Sequence, residues 1–139
     1  PRLREALAAQ KCALQFPKSP IHAALDLSDG IAGDAAHIGR AAGVCLEIQI
    51  ELLPISTQAR EAASFLGADA IDWALRGGED YELLWCVAPD VADEFCEAVA
   101  RETSTRITRV GRVVEMQNAP VKIIGPDGNS IEARAFEHF

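Results

Sequence analysis

The residues best equipped for chemistry sit in two short stretches. In "HAALDLSDGIAGDAAHIG", residues 22–39, an apolar run from Ala23 to Leu27 meets Asp26, Ser28 and Asp29, and Gly30 then opens a segment with helical spacing. Asp26 and Ser28 are two apart at the end of an expected strand, so they point to one side, and Asp29 starts the turn that follows. Two carboxylates and a hydroxyl at a strand's carboxyl end, beside a helix N-terminus, form a hard oxygen cluster of the kind Mg²⁺ prefers, with coordination positions left for phosphate oxygens. The same spacing equally fits a plain cap, in which Ser28 or Asp29 closes the helix and Asp26 hydrogen-bonds the turn.

The second stretch, "GGEDYEL", places Gly77 and Gly78 before Glu79 and Asp80. Glycines allow backbone conformations closed to other residues and let a ligand approach closely, and the two acids can accept hydrogen bonds from an amine or bind a metal. A bare turn needs only one glycine and one polar residue, so spacing alone does not choose. Asp34 and His37 are three apart on one helix face, a spacing that fits either a metal pair or an exposed acid–imidazole contact. Trp73 and Trp85 lie in apolar stretches and are expected in the core.

These loops need elements to hold them. Helical spacing over Arg2–Phe16 (Leu3, Leu7, Ala8, Cys12, Leu14) is ended by Pro17 and Pro20. Ile21–Leu27 reads as a buried strand, Gly30–Ala42 as a helix stopped by Gly43, and Val44–Ile50 as a strand with Val44, Leu46, Ile48 and Ile50 on its buried face. Ser56 can cap a helix to Leu66 and Asp69 another to Leu75. Tyr81–Val87 reads as a strand, and Pro89 as the first turn of a helix ending near Arg101. Thr105–Val114 and Val121–Ile124 read as strands, with a tight turn at Pro126–Gly128 leading to a short strand at Ile131. The sum is an α+β fold, a mixed β-sheet with packed helices.

The chain's 139 residues, 49% of them hydrophobic and 24% charged, suffice for a single globular domain. Thirteen basic residues against 21 acidic ones give a net charge of -8, which argues against nucleic acid or an anionic membrane as partner, because both require a basic face. Any phosphate would have to be reached through metal ions or a few placed amides. Cys12, Cys45, Cys86 and Cys96 lack Cys-x-x-Cys or finger spacing and fit reduced, buried thiols of a cytoplasmic protein. No apolar run approaches the ~20 residues of a membrane span. The chain opens at Pro1 directly on a helical pattern, which is expected of a piece of a longer protein.

Taken in order, "DLSDGIAGDAAHI", "LPIS", "WALRGGEDYELLW" and the terminal "FEHF" resemble the C-terminal half of the thiamine-monophosphate kinases, within the family that also holds aminoimidazole ribonucleotide synthetase, selenophosphate synthetase and a hydrogenase-maturation protein. The resemblance runs from about His22 to Phe139, and the "GGEDYEL" loop points to the kinases among these relatives. It implies an aminoimidazole ribonucleotide synthetase C-terminal-domain-like fold, in part of ferredoxin-like topology. It also implies transfer of the ATP γ-phosphoryl group to thiamine monophosphate. Carried over by position, Asp26 and Asp29 match Mg²⁺-binding aspartates, Ser28 an ATP-contacting serine, Glu79 a substrate-binding glutamate and Phe136 an aromatic residue near thiamine. No residue is expected to act as a catalytic acid or base, because phosphoryl transfer to an existing phosphate oxygen requires little proton transfer. The resemblance further implies an N-terminal domain that supplies the remaining metal ligands, most of the nucleotide site and a homodimer interface. The isolated chain is then expected to carry half an active site and no useful activity. Phe136 departs from the Tyr or Trp of several relatives, which removes a hydroxyl or indole hydrogen bond.

Overall fold

The computed structural model describes residues 2–131. Their contacts group into two compact units: residues 2–26 with 81–107, and residues 27–80 with 108–131.

In the first unit, helix α1 (Leu3–Ala13) packs on α5 (Ala92–Thr103) beside an antiparallel pair of strands, β1 (Ile21–Asp26) and β3 (Leu83–Val87). The strands run from Ile21 opposite Val87 to Asp26 opposite Leu83, with an irregularity between Ile21 and Ala23. The core is Ala8, Ala9, Cys12, Phe95 and Val99. Phe95, fully buried, meets Phe16 and Trp85 edge-on with ring centroids 6.2 and 6.1 Å away. The helical period of α1 is as expected, but its buried face is not: the small residues Ala8, Ala9 and Cys12 turn inward while Leu3, Leu7 and Leu14 are exposed. Small side chains at that contact let α1 and α5 approach closely.

The second unit carries a four-stranded sheet in the order β4 (Gly111–Glu115), β2 (Val44–Gln49), β5 (Val121–Ile124), β6 (Ser130–Ile131). Strand β2 is antiparallel to β4 and parallel to β5, and β5 turns back into β6, so the sheet is mixed as expected. Helix α2 (Ile31–Ala42) packs on β2, β5 and α4 with Ile31, Ala35, Ile38 and Gly39 buried, and ends at Gly43 in the left-handed conformation. Gly39 is required by this packing, because a Cβ there would collide with the Pro120 carbonyl. After one 3₁₀ turn, Ile50–Leu52, helices α3 (Thr57–Leu66) and α4 (Ala70–Arg76) follow. Their caps are the expected ones, with Ser56 Oγ accepting from Ala59 N at 3.1 Å and Asp69 Oδ1 from Ile71 N at 2.8 Å.

Several expected boundaries move, α1 ending at Ala13 and β1 at Asp26. Strand β3 starts at Leu83 because Tyr81 has a φ of 53°, incompatible with extended backbone. Pro89 lies in a turn and α5 begins after Val91. The expected strand from Thr105 shrinks to β4, because only residues 111–115 find a partner strand in β2. Thr105 is instead held by its hydroxyl, which donates to Glu5 Oε1 at 2.7 Å. Cys12 and Cys45 are buried, whereas Cys86 and Cys96 are only half-buried. Trp73 is 37% exposed rather than a core residue. No helix among the described residues is long and apolar enough to cross a membrane.

Candidate functional site

The helix after "DLSDG" is not capped by the residues that the local sequence offers. The N-cap of α2 is Gly30, at a φ of 86°, and it provides no side-chain cap. Its glycine identity follows from packing: a Cβ would lie 2.6 Å from the Leu75 carbonyl oxygen and 2.7 Å from Arg76 Cα, so the end of α4 closes on it.

The amides that a cap would have engaged are taken from inside the helix. Asp34, in the first turn of α2 and 2% exposed, accepts with one oxygen, Oδ2, from the main-chain N–H of Ser28 at 2.9 Å and of Asp29 at 3.1 Å. A buried carboxylate is satisfied by such charge-assisted bonds and also sits favourably at the positive end of the helix. The side chains of Ser28 and Asp29 are thereby left exposed, with no hydrogen bond or ion pair among the described residues. Asp26, at the end of β1 in the other unit, is exposed as well. The capping alternative for "DLSDG" is therefore corrected: neither Ser28 nor Asp29 caps α2. The pairing of Asp34 with His37 is corrected too, since Asp34 is committed to the loop amides while exposed His37 lies 3.3 Å from the Arg40 guanidinium.

The "GGED" loop closes directly on the first. The Glu79 N–H donates to the Ser28 carbonyl at 3.0 Å, and a Cβ on Gly78 would lie 2.7 Å from that same oxygen. A Cβ on Gly77 would strike the Trp73 carbonyl. The room left by the two glycines is thus filled by the protein's own backbone. The left-handed conformation expected of them falls instead on Glu79, whose φ is 65°. An L-residue there costs roughly 1–2 kcal/mol relative to the right-handed region, and such strain concentrates at functional positions. The Glu79 side chain is exposed, with no hydrogen bond or ion pair among the described residues.

Ser28, Asp29 and Glu79 are therefore brought together through their main chains, in one unit. Phe136 lies outside the described residues. Among those described, no group of three or more His, Cys, Asp or Glu side chains is arranged to hold a metal ion. In donor chemistry, the exposed and unengaged carboxylate of Asp29 still fits Mg²⁺, which commonly takes one or two carboxylates and completes its shell with water and phosphate oxygens. Sequence reasoning missed Asp34 as the organiser of the loop. The available signal was an acid in the first turn of a helix whose N-cap is glycine.

An α+β chain with a mixed sheet and two acidic, glycine-bearing loops clamped main chain to main chain is the class of protein in hand. Residues 1–123 match the family described as AIR synthase related protein, C-terminal domain, and the chain belongs to that family. The thiamine-monophosphate kinase of Aquifex aeolicus is 33% identical over 118 residues, which are 85% of this chain and 34% of that protein. The crystal structure of thiamine-monophosphate kinase from Stenotrophomonas maltophilia K279a superposes with a TM-score of 0.67 at 37% identity, over 80% of this chain and 33% of that one. The structure of AaThiL complexed with AMPPCP and TMP is similar over 99% of this chain and 48% of that one, with a TM-score of 0.64 and 25% identity. The chain spans about a third of the length of the curated relatives it matches.

Proposed function

We propose that this chain is the C-terminal part of an ATP-dependent kinase that phosphorylates thiamine monophosphate to thiamine diphosphate, releasing ADP. The reading is supported by the similarity to thiamine-monophosphate kinases and to AaThiL, whose structure is complexed with AMPPCP and TMP. The observation that carries it to the loops is the unengaged state of Ser28 and Asp29: with Asp34 taking the amides, their side chains are free to meet a ligand.

In this reading Asp26 and Asp29 hold Mg²⁺, Ser28 contacts the nucleotide, and Glu79 with Phe136 receives the thiamine moiety. Bound Mg²⁺ would supply charge neutralisation between the ATP polyphosphate and the phosphate of the acceptor and fix their orientation. The chain's own residues bind and orient. The Glu79 carboxylate faces a cation and aminopyrimidine donors, for which charge-assisted contacts are favourable. No residue need remove a proton, because the acceptor is already a phosphate oxygen. A net charge of -8 fits attraction of ATP through metal ions and not through a basic patch. The reading also requires an N-terminal domain for the rest of the nucleotide site, a homodimer of the complete enzyme, and the cytoplasm as its place of action.

The test is ADP release by the complete enzyme with ATP and MgCl₂, with and without thiamine monophosphate. Release dependent on thiamine monophosphate is expected. Release driven only by another small phosphorylated or activated acceptor would assign the chain to a different ATP-dependent enzyme of the family. No release with any acceptor would leave a binding or assembly domain.

A further inference from the structure

We infer that Asp34 is a positioning residue that couples the Ser28–Asp29 loop to the Glu79 loop, so that the proposed metal and nucleotide side of the site and its substrate side are set by one buried carboxylate. The functional half of this inference rests on the kinase reading above.

The geometry runs through a single peptide. Asp34 Oδ2 fixes the N–H of Ser28 at 2.9 Å and that of Asp29 at 3.1 Å. On the other side of the same residue, the Ser28 carbonyl accepts from Glu79 N–H at 3.0 Å. Asp34 itself is anchored twice: it is 2% exposed within α2, and its own N–H donates to the Gly30 carbonyl at 3.1 Å. Ser28 is therefore held by its N–H from the helix and by its carbonyl from the second loop. The Ser28–Asp29 peptide carries both the Ser28 carbonyl and the Asp29 N–H, so its rotation would release the contact to Glu79 together with one of the two to Asp34. Gly78 leaves no slack, because any Cβ would press on the Ser28 oxygen from 2.7 Å. Glu79, with its φ of 65°, is held in a conformation that needs an external restraint, and the bond to Ser28 supplies one. Asp34 is buried behind the loop and presents its carboxylate to main-chain donors, so it acts on both sides of the site without touching a ligand.

Hydrogen exchange at single amides, read by NMR on the 139-residue chain, tests the coupling without any substrate. Asp34→Ala should speed exchange at Ser28 and Asp29 by about tenfold or more, and at Glu79 too, although Asp34 does not touch Glu79; the sheet amides of Ile48 and Ile123 should keep their protection. Asp34→Asn, which retains an acceptor oxygen, should restore Glu79 most of the way. Faster exchange at Ser28 and Asp29 with Glu79 unchanged would overturn the coupling. Should Asp34→Ala lose the fold, Gly78→Ala perturbs the same peptide from the opposite side. It should speed exchange at Ser28 and Asp29, and wild-type rates there would overturn the inference. In the complete enzyme, Asp34→Ala should raise the KM for thiamine monophosphate and for Mg²⁺–ATP together, by about threefold or more, with a smaller change in kcat, and Asp34→Asn should recover most of both KM values. Unchanged KM values beside an intact exchange coupling would overturn the positioning role and leave the kinase reading standing. Absence of thiamine monophosphate-dependent turnover in the wild-type enzyme would overturn the kinase reading and the positioning role with it, while the exchange coupling stood on its own measurement.

Discussion

The main-chain N–H of Glu79 donates to the carbonyl of Ser28 at 3.0 Å, joining two acidic loops that are 51 positions apart in the sequence. The bond settles where Glu79 begins, but it leaves the side chain unengaged, and it does so at a φ of 65° where glycine would be the easier residue. In the proposed function, a glutamate kept there at a cost to stability is accounted for by what its carboxylate does for the substrate.

Replacement of Glu79 by Gln should therefore weaken substrate recognition rather than chemistry. A charge-assisted contact is worth about 2 kcal/mol, so the KM for thiamine monophosphate in the complete enzyme should rise by roughly 30-fold, with kcat and the KM for ATP nearly unchanged. A collapse of kcat at saturating substrate with KM unaltered would place Glu79 on the transition state and remove the recognition role.

The strain at the same residue gives a stability prediction of opposite sign. Glu79→Gly should be more stable than Glu79→Ala by about 1 kcal/mol, since only glycine occupies the left-handed region freely. Urea unfolding of the two variants measures the difference. Equal midpoints would mean that the left-handed conformation costs nothing here.

Asp29 separates function from fold. Its side chain makes no hydrogen bond or ion pair among the described residues, so Asp29→Asn should unfold like the wild type. If it holds Mg²⁺ against phosphate, the complete enzyme should lose about 100-fold or more in turnover. Near-wild-type turnover would return Asp29 to an ordinary loop residue.

In the first unit, acid stability should depend on Glu5. The hydroxyl of Thr105 donates to its carboxylate at 2.7 Å, and this bond, followed by the residue's own backbone N–H and the Arg2 guanidinium, holds Glu5 below the usual carboxylate range. A carboxylate with a lowered folded value adds stability above its unfolded value, about 4.3, and loses that contribution as the pH falls through the folded value. Thr105→Val should thus lower the urea midpoint at pH 6 and narrow the fall in midpoint between pH 6 and strongly acidic solution. A pH profile parallel to the wild type's would show that the Thr105 bond does not favour the ionised form.

Much of the architecture was legible locally because its signals are local. Ser56 and Asp69 announce their helices through caps, Gly43 marks the end of α2, and alternation in Val44–Gln49 marks a half-buried strand. The two acidic loops stand out by composition alone, and the similarity to thiamine-monophosphate kinases agrees with the resemblance that their order carries. Spacing could not say which acid serves the backbone and which is left for a ligand. That division was decided in three dimensions. Once α2 buries its apolar face on β2 and β5, Asp34 is carried beneath the loop, where an unpaired carboxylate would be costly and the amides of Ser28 and Asp29 are the nearest donors. The glycines followed the same logic. Gly30 and Gly78 are required by carbonyls from α4 and from Ser28, contacts that exist only after distant segments pack, so their reason could not be read from the turns in which they occur. The sequence by itself determined the elements and the chemical inventory of the site, because helical and strand periods and capping depend on neighbours along the chain. The tertiary structure decided which of those groups remain unpaired, because that depends on which partners packing brings within hydrogen-bond distance.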